Sequence, residues 1–377
     1  MIARMSQPAR VKVLQLASGD LWAGAEVQLY YLAKALAARG DMDLRVALLN
    51  DGILAERLRA QNIPVAIFDE SQRPALDIGR ALRRLIHDFH PHIVHSHRLK
   101  ENVLAWLAGM GSNARGVRTV HGASEHRPRW WRLDKHIYRN LDAMAARHGQ
   151  AAIVTVSAEL AALCRRSGPA AKVVTIENGI DLTELEQRAQ APVELSASGK
   201  VKIGIVCRLM PVKRVDLFIE AAHIVCAARD DAQFYVFGDG PLLETQRALA
   251  RELQLGERVR FAGFRADMPA CLRALDLLLI TSDHEGLPLN LLEAMALGVP
   301  VAAHAVGGIP QALEDGRLGV LVHEQTAQAY ADAILNILRD RSPAIARAHL
   351  AQAHVRARYS ATRMADEYAT LYRKILV

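Results

Sequence analysis

Short runs of Val, Ile, Leu and Ala alternate with helix-length stretches along most of the chain. Residues 11–17, 44–49, 65–67, 93–95, 118–120, 152–156 and 173–176 read as strands. Helical patterns fill the gaps at 26–39, which stops at Gly40, at 76–89 and at 158–167. Strands that are apolar on both faces and separated by helices predict a parallel sheet covered on both sides. The pattern breaks at 182–200, LTELEQRAQAPVELSASGK, which reads as a polar linker. It then restarts, with strands expected at 201–206, 233–237, 258–261, 277–280, 299–303 and 319–322, and a helix at 215–228. Helices at 327–340, 343–355 and 361–375 close the chain, with Ser360 placed to cap the last. The expectation is an α/β protein of two doubly wound domains, the second running over 199–360. Ligands of such sheets gather at the carboxyl ends of strands, so a cleft between the domains is the expected place for a site.

Composition removes other classes. The chain has 377 residues, 51% apolar and 23% charged, as expected of a folded protein of about two domains and not of a disordered or fibrous one. No apolar run reaches the roughly 18–20 residues of a membrane span, and the first residues do not read as a secretory signal. Cys164, Cys207, Cys226 and Cys271 form no CxxC pair, which fits a reducing cytoplasm and no zinc framework.

Net charge is +7, and +6 of it lies in residues 1–198. The excess gathers at 115–147, with eight basic residues against three acidic. Within it, 126–139 reads HRPRWWRLDKHIYR. Trp130 and Trp131 among Arg127, Arg129, Arg132, Lys135 and Arg139 suit a membrane surface, an anionic glycolipid or a polymer acceptor; the plainer reading is a buried Trp beside a solvated charged helix. No nucleic-acid motif accompanies the patch, so no nucleic-acid partner is expected.

The densest chemistry is at 283–300, DHEGLPLNLLEAMALGVP, after a predicted strand. Glu285 falls in a loop, Gly286 permits a tight path and Pro288 presets a helix that carries Glu293 and stops at Gly298. A loop carboxylate, a second carboxylate and a helix N-terminus would then lie together, and helix N-termini favour phosphate. Other stretches stand at strand ends: Gly204–Asp216 (GIVCRLMPVKRVD), Phe237–Pro241 (FGDGP), Phe261–Phe264 (FAGF), Val306–Gln311 (VGGIPQ), Trp22–Gln28 (WAGAEVQ), Thr119–Gly122 (TVHG) and Asn178–Asp181 (NGID).

Together these segments resemble the retaining, nucleotide-sugar-dependent glycosyltransferases of the GT-B fold, family 4. That family's signature, E-G-[FL]-[GP]…E-A-M-A-x-G-x-P-V, has two glutamates separated by seven residues, as Glu285 and Glu293 are. The resemblance runs from Gly24 to Tyr368. It implies two Rossmann-like domains facing a central cleft. The last helix, 361–377, would cross back to the acceptor-side domain of residues 1–182, and 199–360 would bind the donor.

By the same resemblance, Arg208 and Lys213 would clamp the donor diphosphate, and folding should be nearly indifferent to their removal. Glu285 would bind the sugar hydroxyls and Glu293 the ribose. The amides of Leu287, Leu289 and Asn290, with Gly286 beside them, would meet the diphosphate. Gly238 would let backbone approach the nucleotide, FAGF would lie under the base, and Gly24 would sit by the β-phosphate. His121 would contact the transferred sugar. Cys207 and Gln311 depart from the family's usual Gly and Glu, and Gln311 receives no role.

The implied activity is transfer of a sugar, with retention, to a hydroxyl of a glycan or lipid-linked acceptor in cell-surface polysaccharide or glycolipid synthesis. No cofactor is expected beyond the nucleotide-sugar co-substrate, and no metal. The protein would be cytoplasmic, with peripheral contact at the inner face of an anionic membrane. A GT-B epimerase and a non-catalytic nucleotide-sugar-binding protein stay open. On the acceptor side stand His97, Arg129, Trp130 and Trp131. His90, His92, His95 and His97 look metallic, but alternation places only two on one face of a strand end. Asp41-Met42-Asp43 has a metal-binding spacing but sits at a strand's amino end, where it reads as a turn.

Overall fold

The computed structural model describes residues 10–122, 140–193, 195 and 200–377. Two compact units make up the chain: Met1–Gly179 with Ala361–Val377, and Ile180–Ser360.

In the first unit β1 (Val11–Ala17), β2 (Met42–Leu48), β3 (Val65–Ile67), β4 (Ile93–Ser96), β5 (Arg115–Val120), β6 (Gln150–Thr155) and β7 (Val173–Thr175) form one sheet in the order β3-β2-β1-β4-β5-β6-β7. Its ladders are parallel. The order reverses between β1 and β4, which is where doubly wound sheets leave a crevice at the strand ends. Around it lie α1 (Gly24–Ala38), α2 (Ile53–Ala60), α3 (Ala75–Phe89), α4 (Leu99–Gly109) and α5 (Ala158–Ser167). The apolar stripe Ile78, Leu82, Ile86 and Phe89 of α3 packs on Leu14, Leu16, Ala47 and Val94 of the sheet.

The second unit opens with α6 (Leu182–Arg188), inside the stretch expected to be a linker. Its polar composition hid an N-cap: the Asp181 carboxylate accepts from the Glu184 amide at 3.0 Å. Then come β8 (Val201–Val206), α7 (Val215–Ala228), β9 (Ala232–Phe237), α8 (Leu243–Glu252), β10 (Val259–Gly263), α9 (Met268–Arg273), β11 (Leu277–Ile280), α10 (Leu289–Ala296), β12 (Val301–His304), α11 (Ile309–Ala312), β13 (Val320–Val322), α12 (Ala327–Arg339) and α13 (Ser342–Arg358). The sheet is parallel, in the order β10-β9-β8-β11-β12-β13, and reverses between β8 and β11. Helices α7 and α12 pack together over it, burying Phe218, Ala222, Tyr330 and Ile334 against Ile203, Ile205 and Phe234.

The chain returns to the first unit as α14 (Ala361–Leu376), which packs on α1. Its buried positions, Ala361, Met364, Ala365, Tyr368, Ala369, Leu371 and Tyr372, recur at helical spacing. Two of them are tyrosines, and Tyr372 meets a polar residue that an apolar strand would not be expected to carry: Gln15, fully buried in the middle of β1.

Candidate functional site

In the second unit, the loops after β8 and β11 are stitched together. The Thr281 hydroxyl donates to the carbonyls of Lys213 and Arg214 at 2.9 and 3.0 Å, and the Asp283 amide donates to the Val212 carbonyl at 2.8 Å. This seam carries the Lys213 ammonium to Glu285, with Nζ 2.6 Å from Oε1. The Ser282 hydroxyl donates to the same oxygen at 2.7 Å. Burial alone would lower the Lys213 pKa, but the charge and hydrogen bond of Glu285 outweigh it and the net shift is upward. Lys213 is therefore an internal partner of Glu285, which does not fit the expectation that folding is nearly indifferent to its loss.

Arg208 stands differently. It is exposed and makes no ion pair among the described residues. Its neighbour Arg214 is occupied by Asp216 and Asp283. Between Arg208 and the strand, the Cys207 thiol is pushed up to about 12, chiefly by burial, which Lys213 opposes and Glu285 reinforces. It stays protonated and offers no nucleophile.

The glycines of this unit bind loop to loop. Gly238 has φ +119°, and a Cβ there would lie 1.9 Å from the Cys207 carbonyl oxygen. Whatever it does for a nucleotide, Gly238 is first required by its own protein. Gly307 has φ +62°, and a Cβ would lie 1.8 Å from the Glu285 carbonyl oxygen, while the Gly308 amide donates to the Gly286 carbonyl at 2.7 Å. The second glycine pair thus clamps the Glu285–Gly286 backbone.

Helix α10 begins one residue after Pro288. The Asn290 side chain donates to the Val206 carbonyl at 2.7 Å and accepts from the Leu291 amide at 2.8 Å, tying the helix start to the end of β8. The first amides of a helix have no intrahelical acceptor, and those of Leu289 and Asn290 meet none among the described residues. Leu287 is buried in the preceding loop. Glu293 is half-buried on α10. In FAGF, Phe261 packs on the core of the unit and Phe264 is 54% exposed.

In the first unit, Gly24 opens α1 and is exposed, with nothing within 4 Å of the position a Cβ would take. Glu26, two residues on, is buried against Arg98. Its carboxyl is raised, by burial first and against the pull of Arg98. His95 and His97 share one face of β4 and its extension, stacked 4.4 Å apart. All four of their ring nitrogens are engaged. His95 meets the Tyr372 hydroxyl at 2.7 Å and Thr119 Oγ1 at 2.8 Å; His97 meets Gln15 Oε1 at 2.7 Å and His121 Nε2 at 3.2 Å. No nitrogen of this pair is left for a metal. His97 is buried behind His121, and only His121 is part-exposed.

All three rings are held neutral. Burial lowers His95 and His121 to about 3, helped by the charge of His121 on the former and of Arg98 and Arg118 on the latter, and His97 falls well below its ordinary value for the same chief reason. Asp41 pairs with Arg39 and Arg373 at the amino end of β2. Arg129, Trp130 and Trp131 lie outside the described residues. Ser282, Gln15, Tyr368 and Tyr372 were not singled out by the sequence. The only signal for Ser282 was a hydroxyl pair, Thr281-Ser282, directly before the Glu285 motif.

Comparison with known proteins shows the family. The family model of group 1 glycosyl transferases matches residues 200–340, and that of Glycosyltransferase Family 4 matches residues 22–184. A D-inositol 3-phosphate glycosyltransferase of Corynebacterium urealyticum is 30% identical over 312 residues, covering 75% of this chain and 71% of that protein. A GDP-mannose-dependent alpha-(1-6)-phosphatidylinositol monomannoside mannosyltransferase of Mycobacterium tuberculosis is 32% identical over 194 residues, 48% of this chain and half of that protein. Among solved structures, Anabaena HepE in complex with UDP-glucose superposes with a TM-score of 0.83 at 23% identity, over 97% of this chain and 100% of that one; this likeness is one of fold.

Proposed function

We propose that this chain, which belongs to the group 1, family 4 glycosyltransferases, moves a sugar from a nucleoside diphosphate to a hydroxyl of a glycan or lipid-linked acceptor, with retention of configuration and without a metal. The observation that carries the reading is the Lys213–Glu285 pair, held by Ser282, with the exposed Arg208 at the start of the same loop as Lys213. A cation and a carboxylate at one loop seam can meet the two parts of a sugar diphosphate at once. Lys213 and Arg208 neutralise the departing phosphates, and the open amides of Leu289 and Asn290 add donors at a helix N-terminus. Glu285 accepts from hydroxyls of the transferred sugar, and Glu293 from those of the ribose. By family resemblance, the bond from C1 to the diphosphate breaks, the acceptor oxygen bonds C1 on the same face, and its proton passes to the leaving phosphate. No protein base is then needed. In the first unit, His121 is assigned to the sugar and Gly24 to the β-phosphate.

The lipid-linked acceptor is supported by the relative named for a phosphatidylinositol mannoside, and a polyol hydroxyl as acceptor by the one named for D-inositol 3-phosphate. Among the described residues no helix is long and apolar enough to cross a membrane. Peripheral contact with an anionic surface rests on the composition of 126–139 alone.

A thermal-shift screen of UDP-, GDP-, ADP- and dTDP-sugars should identify the donor, since binding to the native state raises its melting temperature. With that donor, NMR of the product should show the donor's anomeric configuration kept, in the presence of EDTA as in its absence. An inverted product would end the retaining mechanism, and loss with EDTA restored by Mg or Mn would end metal independence. Free epimerised sugar nucleotide, or binding without turnover, would replace the transferase reading. Glu293→Gln keeps shape and removes charge, and should weaken donor binding several-fold. A 2′-deoxyribose donor that binds wild type as tightly as the ribose form would remove Glu293 from ribose recognition.

A further inference from the structure

A set of buried polar groups around Gln15 in the first unit forms one hydrogen-bonded line, and its direction follows from the links. Gln15 Oε1 lies 2.7 Å from His97 Nε2, and Gln15 Nε2 lies 3.2 Å from the Tyr372 hydroxyl. The distance fits an N–H···O bond with the amide oxygen seated against His97. An amide oxygen only accepts, so His97 carries its proton on Nε2. Being neutral, His97 has a bare Nδ1, and the group 3.2 Å away, His121 Nε2, must be the one that donates.

The other end agrees. Gln15 Nε2 donates to the Tyr372 oxygen, so the tyrosine's own proton must go elsewhere. His95 Nδ1, 2.7 Å away, takes it. His95 Nε2–H then donates to Thr119 at 2.8 Å, and Thr119 meets the Tyr368 hydroxyl at 2.8 Å. Each link uses one donor and one acceptor, and no side-chain atom in the line is buried without a partner. Reversing one amide would reverse every link. A mixture would strand a buried polar atom at a cost of about 1–3 kcal/mol.

We propose that Gln15, through His97, fixes His121 as the tautomer protonated on Nε2, so that its Nδ1 presents a lone pair and recognises a ligand hydroxyl as a hydrogen-bond donor. Among the described residues His121 Nδ1 has no partner. It is the end of the line that reaches the surface, since Gln15, His95, His97, Thr119, Tyr368 and Tyr372 are all buried. Gln15 and His97 are positioning residues, and they set which sugar substituent His121 can accept. A hydroxyl satisfies it, while a fluorine or a methoxy group, which only accept, does not. This rests on the assignment of His121 to the transferred sugar, but the tautomer itself does not.

The test is a two-bond proton–nitrogen NMR spectrum of the full chain with labelled histidine, taken without donor. His121 is expected to show Nδ1 at the shift of a bare ring nitrogen and Nε2 protonated. A proton on Nδ1 in the wild type overturns the proposal, whatever the variants do. Gln15→Leu should mix the tautomers at His97 and His121 and lower kcat/KM by roughly tenfold, the scale of one hydrogen bond. Gln15→Glu, which burial keeps as the neutral acid, returns an accepting oxygen to His97 and should restore the single tautomer. Wild-type tautomers in Gln15→Leu remove Gln15 from the device. A protein with the expected tautomer that transfers no sugar overturns the function proposed above and leaves this inference standing.

Discussion

Lys213→Ala is expected to reduce kcat by at least about thirtyfold, or about 2 kcal/mol of transition-state stabilisation, a floor set just below the about 2.7–4 kcal/mol typical of removing one preorganised donor to a developing charge. It should also destabilise the protein. Glu285 is 9% exposed and Lys213 25%, so the variant leaves a mostly buried carboxylate with the Ser282 hydroxyl as its remaining hydrogen-bond donor among the described side chains. Stranding one member of a fully buried pair costs about 3–5 kcal/mol; partial solvent access at the lysine brings the expected loss to about 1–3 kcal/mol. Arg208→Ala should lose activity on the same scale with stability unchanged, because Arg208 is exposed and makes no ion pair among the described residues. Denaturant midpoints and kcat, measured on both variants with one donor, separate the cases. Wild-type turnover in either variant removes that cation from the mechanism. Equal stability of the two would show that the Lys213–Glu285 contact does not matter to the native state.

The asymmetry between these two cations marks where reading the chain stops. Strand 277–280 is legible because it is a continuous Leu- and Ile-rich run, buried throughout, and 201–206 because four of its six residues are Val or Ile, so local composition suffices to find them. Helix α2 is short and mixed in polarity, and α6 is polar with its cap on Asp181, so neither declares itself by periodicity. Motif spacing brings Glu285 and Glu293 onto one loop and helix, but it holds no information on which group 72 residues away will meet the loop carboxylate. Likewise FGDGP reads as a ligand loop, whereas at Gly238 the nearest atom to a would-be Cβ is the Cys207 carbonyl oxygen. The pairing of His95 with His97 on one face follows from strand alternation. Their partners on β1 and on a helix 277 residues away follow only from the topology.

The same histidines make the first unit acid-labile, and by a larger margin than any single substitution. Each is neutral in the native state with its pKa depressed, His95 and His121 to about 3 and His97 well below its ordinary value, whereas unfolded histidine titrates near about 6.5. The unfolded chain therefore binds more protons. Stability is fully present above the unfolded pKa and is lost as pH falls toward the folded one. Three such groups together give a slope of about 4 kcal/mol per pH unit below about pH 6. Against a native stability of about 5–15 kcal/mol, that should unfold the unit between about pH 5 and 4, before most carboxylates are protonated. The second unit has one buried histidine among its described residues, His304, and should resist longer. Tryptophan fluorescence can tell them apart, because Trp22, Trp106, Trp130 and Trp131 all belong to the first unit's stretch of chain. Urea midpoints followed by fluorescence from pH 7 to 4 should fall steeply, and His121→Asn, which removes the least buried ring, should reduce the slope by about one proton. A midpoint that stays level between pH 6 and 4.5 would mean that the rings accept protons without unfolding, and the neutral hydrogen-bonded line would have to be abandoned.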